Sequence, residues 1–292
     1  MKNDFNKGLI LTSLGSFWWG FIGVIYFESV SFIGHTELVV HRCLWTAIML
    51  ILTTTFLSKW KIFLKEIKDK KKLIALFFSG FLIFVNWSIW IYAVASERII
   101  DASFGYFIMP IISVFLGNFF FKEPITKKGK ISILLVITSV SYLLILDFNS
   151  IPWVGLIVAF SWSFYNLFRK KINVETDIGL LVESLYILPF ALVAFYFISI
   201  NNFNDFSLSN PSLMPLLMLA GPMTVIPLFL YVRGVELAGL GPAGMIFYIT
   251  PTLQFILGFF IYNEQFNLNQ LVSFILIWIA VFIYLKDIYE KN

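Results

Sequence analysis

The chain has 292 residues, of which 59% are hydrophobic and 13% charged, with a formal net charge of +4. A soluble domain devotes about a quarter of its residues to charge, so this composition excludes an ordinary water-soluble fold and points to a chain solvated by hydrocarbon. The lysines lie in gaps between apolar runs and form no single basic face, which sets nucleic acid aside, and the lone Cys43 leaves no intrachain disulfide or cysteine metal centre.

In chain order, Lys2 and Lys7 precede an apolar run that is too long, and too poor in small residues at its end, for a cleaved leader, so it is read as the first helix. Spans are expected at residues 8–27, 36–57, 73–95, 102–121 and 130–146, then at 152–168, 178–200, 213–235, 243–262 and 269–286. Each is near the ~20 residues that cross ~30 Å of hydrocarbon. With the N-terminus cytoplasmic, the segments on that side hold Lys2 and Lys7, the seven lysines of 59–72, the four of 122–130, Arg169, Lys170 and Lys171, Arg233, Lys286 and Lys291. These are 19 of the 21 basic residues, and only Arg42 and Arg98 fall toward the other side. That asymmetry predicts ten spans with both termini cytoplasmic, and it makes the 59–72 lysine run a topology determinant rather than a headgroup-binding patch.

The fourth span repeats in the ninth. A shift of 141 positions lays Ala102, Ile108, Pro110, Leu116, Gly117, Phe119 and Glu123 onto Ala243, Ile249, Pro251, Leu257, Gly258, Phe260 and Glu264. A second echo sets Gly8, Leu9, Ile10, Ser16 and Phe17 against Gly155, Leu156, Ile157, Ser163 and Phe164. The expected fold class is therefore an all-α polytopic membrane protein whose ten helices form two five-helix units, residues 1–147 and 148–292. Because five is odd, the second unit enters from the opposite side, and such inverted repeats favour alternating access.

Pro110 and Pro251 lie in mid-span, where each removes an N–H and leaves the carbonyl of Tyr106 or Phe247 without its helical partner. Those carbonyls either meet a solute or mark a packing kink. Ser103, Tyr106, Pro110, Ser113 and Gly117 recur at intervals of three and four, giving a small and polar stripe that must face protein or water. Its counterpart is Gly244, Phe247, Pro251, Gln254 and Gly258, while Ser13, Ser16, Gly20 and Gly23 of the first span read as a packing stripe.

Ionisable groups inside spans are costly and are functional hypotheses by default. Arg42, with His41 beside it, lies roughly 8 to 10 Å below the outer end of the second span at about 1.5 Å per residue. Arg42 keeps its charge and offers a fork of donors suited to a carboxylate or phosphate. Glu37 and Glu183 occupy similar places in the two units and read as a repeated structural acid; Glu183 and His41 are the candidates for proton coupling, with structural pairing as the competing role. Asn86, Trp87 and Trp90 of the third span, with Trp162, Tyr165 and Asn166 of the sixth, add aromatic faces and amide donors. The expected solute-binding set is Arg42, His41, Asn86, Trp87, Trp90, Tyr106, Pro110, Ser113, Tyr165, Phe247, Pro251 and Gln254.

No phosphate loop, HExxH or CxxC occurs, and the only histidines are His35 and His41. No enzyme activity, cofactor or metal is expected; an intramembrane enzyme and a channel are the readings from other classes.

His41-Arg42, Asn86-Trp87, the string Ala102 to Ile108 with Pro110, Phe164-Tyr165 followed by Arg169-Lys170-Lys171, and Pro251-Thr252-Leu253 resemble, in this order and over essentially the whole chain, the RarD family of EamA-type permeases in the drug/metabolite transporter superfamily. The resemblance implies two five-helix EamA repeats, a bacterial inner-membrane location, and transport of small metabolites or drugs through a central cavity. The expected function is a secondary transporter whose partners are a charged or amphipathic small molecule and membrane lipid.

Overall fold

In hydrocarbon a helix satisfies its own backbone, and helices account for most of the described residues. The computed structural model describes residues 2–95, 99–147, 152–201, 204–261 and 268–291. Arg98 and Glu264 lie outside the described residues, as does the side chain of Ser103. The first span is α1 (Lys2–Phe17), a π-helical turn at Trp18–Ile22 and α2 (Gly23–Ser29). Next come α3 (His35–Phe56), the short α4 (Trp60–Glu66), α5 (Lys70–Ala95), α6 (Ile99–Phe121) and α7 (Lys127–Asp147). The second half holds α8 (Trp153–Lys171), α9 (Thr176–Ile200), α10 (Leu213–Met218), α11 (Ala220–Ala238), α12 (Leu240–Ile246), α13 (Ile249–Phe260) and α14 (Leu268–Lys291).

Among the described residues nine stretches are long and apolar enough to cross a membrane. The expected sixth span, α8, is not one of them. It has 19 residues, about 28 Å of helix, but Ser161, Ser163, Asn166 and its basic last turn make it more polar. Those three polar residues are buried against other helices, so they do not need an apolar solvent match. Ten spans are consistent with this arrangement.

Packing follows a two-fold pattern. The first span packs on α11 as α5 packs on α8; α3 packs on α11 as α5 packs on α9; and α6 packs on α8 as the first span's π-turn packs on α13. The pairs α3 with α9, α6 with α12 and α7 with α14 each join a span to its counterpart. Small residues permit the closest of these approaches: a Cβ on Gly15 would lie 2.9 Å from the Pro227 carbonyl oxygen, and one on Gly20 would lie 2.9 Å from that of Thr250.

The basic loops gather at one end of the bundle. There Lys59, just beyond α3, meets Asp177 at 2.6 Å and Glu175 at 2.8 Å at the start of α9. At the same end Lys170, in the last turn of α8, meets Glu123 beyond α6 at 2.6 Å. Glu123 also accepts the backbone N–H groups of Leu240 and Gly241 at 2.9 and 2.8 Å. This caps α12 after Gly239, whose φ of 101° suits a residue without a side chain. At the other end Glu37 accepts the N–H groups of Asp205, at 2.9 Å, and Phe206, at 3.1 Å, which fastens the segment after α9 onto α3.

Candidate solute-binding site

The centre of the bundle is lined with aromatic rings drawn from six spans. Trp19, in the π-turn, stands 5.1 Å from Trp162 of α8, 5.7 Å from Tyr231 of α11 and 6.2 Å from Phe247 between α12 and α13, measured between ring centroids. Trp162 lies 5.5 Å from Tyr231 and 5.7 Å from Tyr165, and Phe247 lies 5.4 Å from Tyr231 and 5.8 Å from Tyr106 of α6. Tyr106 continues the row to Trp90 of α5 at 5.5 Å. Trp19 and Tyr106 are only half-buried, whereas Tyr165 and Tyr231 are fully enclosed.

Arg42 stands at the edge of this row, half-buried. Its guanidinium lies 4.7 Å from the centroid of Trp87 and 5.4 Å from that of Phe27, a cation over two aromatic faces. Its Nε donates to the Thr224 hydroxyl of α11 at 3.0 Å. Tyr26 and Tyr106 are within electrostatic range, yet no carboxylate among the described residues forms an ion pair with it. The fork of an arginine with one neutral partner and two ring faces retains donors for an anion.

The prolines produce different backbones. Helix α6 runs unbroken through Pro110, whereas the ninth span breaks at Phe247 and Tyr248, just before Pro251. The carbonyl that Pro251 deprives of its donor, on Phe247, accepts the Thr250 N–H at 2.9 Å instead. Around Pro110 the Met109 carbonyl accepts the Ser163 hydroxyl at 3.2 Å and the Phe107 carbonyl accepts the Tyr248 hydroxyl at 2.7 Å. A π-turn in the first span lies against this break, with the Thr250 hydroxyl donating to the Ser16 carbonyl at 3.0 Å.

Of the expected set, Arg42, Trp87, Trp90, Tyr106, Tyr165 and Phe247 belong to the central cluster. Asn86 instead ties α5 to α8, donating to the Val158 carbonyl at 3.0 Å and the Ser161 hydroxyl at 3.1 Å. Ser113 and Pro110 face Gly244 in the α6–α12 contact, where a Cβ would lie 2.7 Å from that of Ser113. Pro251 is buried and Gln254 half-buried on α13. His41 turns away from Arg42: its Nε2 lies 3.4 Å from Glu37, its Nδ1 accepts the Trp45 indole N–H at 3.2 Å, and Phe206 and Phe195 pack on its ring.

Glu183 sits nearer the lysine-rich end, where Oε1 accepts the Ser79 hydroxyl at 2.5 Å and Oε2 the Tyr165 hydroxyl at 3.3 Å. Arg169 lies 3.5 Å from it. Helix starts correct the pairing of Glu37 with Glu183. Because α3 begins at His35 and α9 at Thr176, Glu37 is third in its helix and Glu183 eighth, and the residue equivalent to Glu183 is Arg42.

Trp19, Tyr231 and Thr224 were not singled out by the sequence patterns, although two of them carried a signal. Thr224, Pro227, Tyr231 and Gly234 recur at intervals of three and four, the same kind of polar and small stripe as in the fourth span. Trp19 was hidden because the π-turn shifts the register of the helix face in which it lies.

Comparison with known proteins agrees with this architecture. The model of the EamA-like transporter family matches residues 6–145 and again residues 150–286. Protein RarD of Salmonella typhi is 33% identical over 281 residues, covering 96% of this chain and 95% of its own. Protein RarD of Escherichia coli K12 is 32% identical, covering 96% and 94%. The uncharacterized transporter YojE of Bacillus subtilis is 31% identical, covering 95% and 93%. A solved crystal structure shares the fold at 13% identity, with a TM-score of 0.69 over 96% of this chain and 97% of that one. With its all-helical apolar architecture and this double family match, the chain belongs to the RarD family of EamA-like transporters and is a multi-pass bacterial membrane transporter of small molecules.

Proposed function

We propose that the protein is a secondary transporter of the bacterial inner membrane. It moves small amphipathic organic metabolites or drugs bearing a carboxylate or phosphate, by alternating access of two inverted halves, residues 1–147 and 148–292. Both termini are cytoplasmic, the lysine-rich end of the bundle facing that compartment. The observation that carries the reading is Arg42: a cation inside the bundle, laid over Trp87 and Phe27 and without an ion-pair partner among the described residues, next to a row of aromatic rings. An unpaired charge in that setting is costly, and an anionic solute would supply its counter-ion while the rings receive the apolar body. The two-fold packing supports the mechanism, because a rearrangement that exchanges the roles of the halves yields a second state of comparable energy.

Counterflow in proteoliposomes, with a pool of labelled organic anions and matched neutral compounds, tests the reading without any assumption about a driving ion. Saturable exchange of an anionic solute that Arg42→Gln selectively weakens is the expected result. Non-saturable ion conductance without exchange would replace the transporter reading with a channel.

A further inference from the structure

Arg169 is 1% exposed, yet it is held loosely. Its Nη1 lies 3.5 Å from Glu183 Oε1, and its Nη2 lies 3.8 Å from Glu236 Oε1. Among the described residues the single hydrogen bond of the guanidinium runs from Nη2 to the Thr176 carbonyl at 3.1 Å. Among the described residues Nε and Nη1 find no acceptor and Oε1 of Glu236 finds no donor. The other carboxylate oxygen of Glu236 accepts from the Thr176 hydroxyl at 2.8 Å and from Arg233 at 2.9 Å. The carboxylate of Glu183, by contrast, is fixed by the hydroxyls of Ser79 and Tyr165 from two other helices. Gly179 leaves the space that the guanidinium fills, since a Cβ there would run into Arg169 Nη1.

A buried ion pair is favourable only when its geometry is good and its remaining donors are met. Here the anion is anchored and the cation merely lodged beside it, an arrangement suited to replacement of one cation by another. The equivalence of Arg42 and Glu183 says when. In an inverted repeat the conformational switch exchanges the surroundings of equivalent positions. Arg42 now faces the aromatic row without a counter-ion among the described residues, so in the opposite state Glu183 becomes the group turned toward that row.

We propose that Glu183, with the hydroxyls of Ser79 and Tyr165, forms a cation subsite, that Arg169 is its tethered occupant in the conformation described, and that the exchanging ligand is a protonated amine, a guanidinium group or a proton arriving from the lysine-rich end. The timing of the exchange rests on the alternating-access reading; the subsite itself does not, and its test needs no transport.

The test uses purified Arg169→Ala protein in detergent, with melting temperature read against low-millimolar guanidinium chloride, methylammonium chloride, sodium chloride at equal ionic strength, and falling pH. Guanidinium or methylammonium should raise the melting temperature of Arg169→Ala by a few degrees, as a ligand bound only by the folded state does. The same salts should leave the wild type, whose subsite is filled, and the Arg169→Ala/Glu183→Gln double variant unmoved. A rise with acidification alone, again lost with Glu183→Gln, identifies the proton as the occupant. If Arg169→Ala does not fold, Gly179→Ala evicts the guanidinium while keeping both charges and takes its place in the comparison. No stabilisation by any cation or by acid, a response that survives Glu183→Gln, or failure of both variants to fold overturns the proposal. Absence of counterflow in the wild type would count against transport of the solutes offered and leave the thermal result standing.

Discussion

Arg42 and Glu183 occupy the same place in the two halves of the chain, each the eighth residue of its helix, and each is joined to a hydroxyl from the third span of the opposite half. Arg42 donates to Thr224 at 3.0 Å, and Glu183 accepts from Ser79 at 2.5 Å. One position of the repeat thus carries a cation in the first half and an anion in the second. The first lies beside the aromatic row without an ion-pair partner among the described residues, and the second is closed over by Arg169.

Replacing Arg42 by Gln should weaken an anionic substrate selectively. Loss of a charge-assisted hydrogen bond costs about 1.5–3 kcal/mol, or roughly 10- to 100-fold in apparent affinity. A neutral solute should change less than about threefold, within the few tenths of a kcal/mol typical of a site without that contact. Arg42→Lys should restore little, because a point charge does not reproduce the planar fork or its stacking on Trp87. Counterflow titrations with matched anionic and neutral solutes check this, and equal losses for both would assign Arg42 a structural role.

Orientation can be read with single cysteines in a Cys43→Ser background. Cysteine at the exposed Lys68 should react with an impermeant thiol reagent only from the cytoplasmic side, and cysteine at Leu208, which is 88% exposed, only from outside. Reactivity of both from one side contradicts the inverted arrangement.

His41 and Glu183 should respond differently to loss of their titratable group. His41→Gln is expected to lower folded yield and leave proton-driven uptake per folded molecule unchanged, since His41 braces Glu37 and Trp45 away from the aromatic row. Glu183→Gln is expected to abolish accumulation against a gradient while equilibrium counterflow persists. Uptake driven by a pH gradient, normalised to monodisperse protein, distinguishes the two; undiminished accumulation in Glu183→Gln removes that residue from coupling.

Lys59 gives the lysine-rich end a pH dependence. Partial burial pulls its ammonium down, but hydrogen bonds and charge from Asp177 and Glu175 outweigh this and hold it above the ordinary lysine value of 10.5. A raised folded-state value means stability that is fully present below 10.5 and lost as pH climbs through the folded value. Wild type should therefore lose more stability than Lys59→Met on moving from neutral to strongly alkaline buffer, by melting temperature, and parallel curves would show that the pair contributes nothing.

Close helix contact should make Gly234 intolerant of bulk. A Cβ there would collide with the Thr12 side chain and lie 2.8 Å from the Gly8 carbonyl oxygen, so the α1–α11 seam cannot open by a rotamer change alone. Gly234→Val should cost more than about 3 kcal/mol, at or beyond the upper end of ordinary overpacking, and read out as loss of monodisperse protein on size-exclusion chromatography. Gly34→Val, where a Cβ would meet nothing within 4 Å, is the control.

The class of the protein was legible from its residues because hydrocarbon imposes one rule on every span. Runs of about twenty apolar residues, basic gaps on alternate sides and the Pro110/Pro251 echo determined an all-helical, duplicated membrane protein, and these signals are local in the chain. Arg42 was legible too, as a charge where charge is costly. What only the tertiary structure decided was which groups meet. Arg42 and His41 are neighbours in sequence, but successive side chains on a helix point about 100° apart, so one reaches the Trp87 face and the other the Phe206 ring. Arg169 and Lys170 are separated in the same way: one is drawn to Glu183 on α9 and the other to Glu123 beyond α6. The helix starts set Glu183 against Arg42 at the same offset of 141 that aligns the fourth span with the ninth, and Trp19 joins the aromatic row only through a π-turn that no apolar periodicity marks. Periodicity tells a residue which face it occupies; the packing of the helices tells that face what it touches.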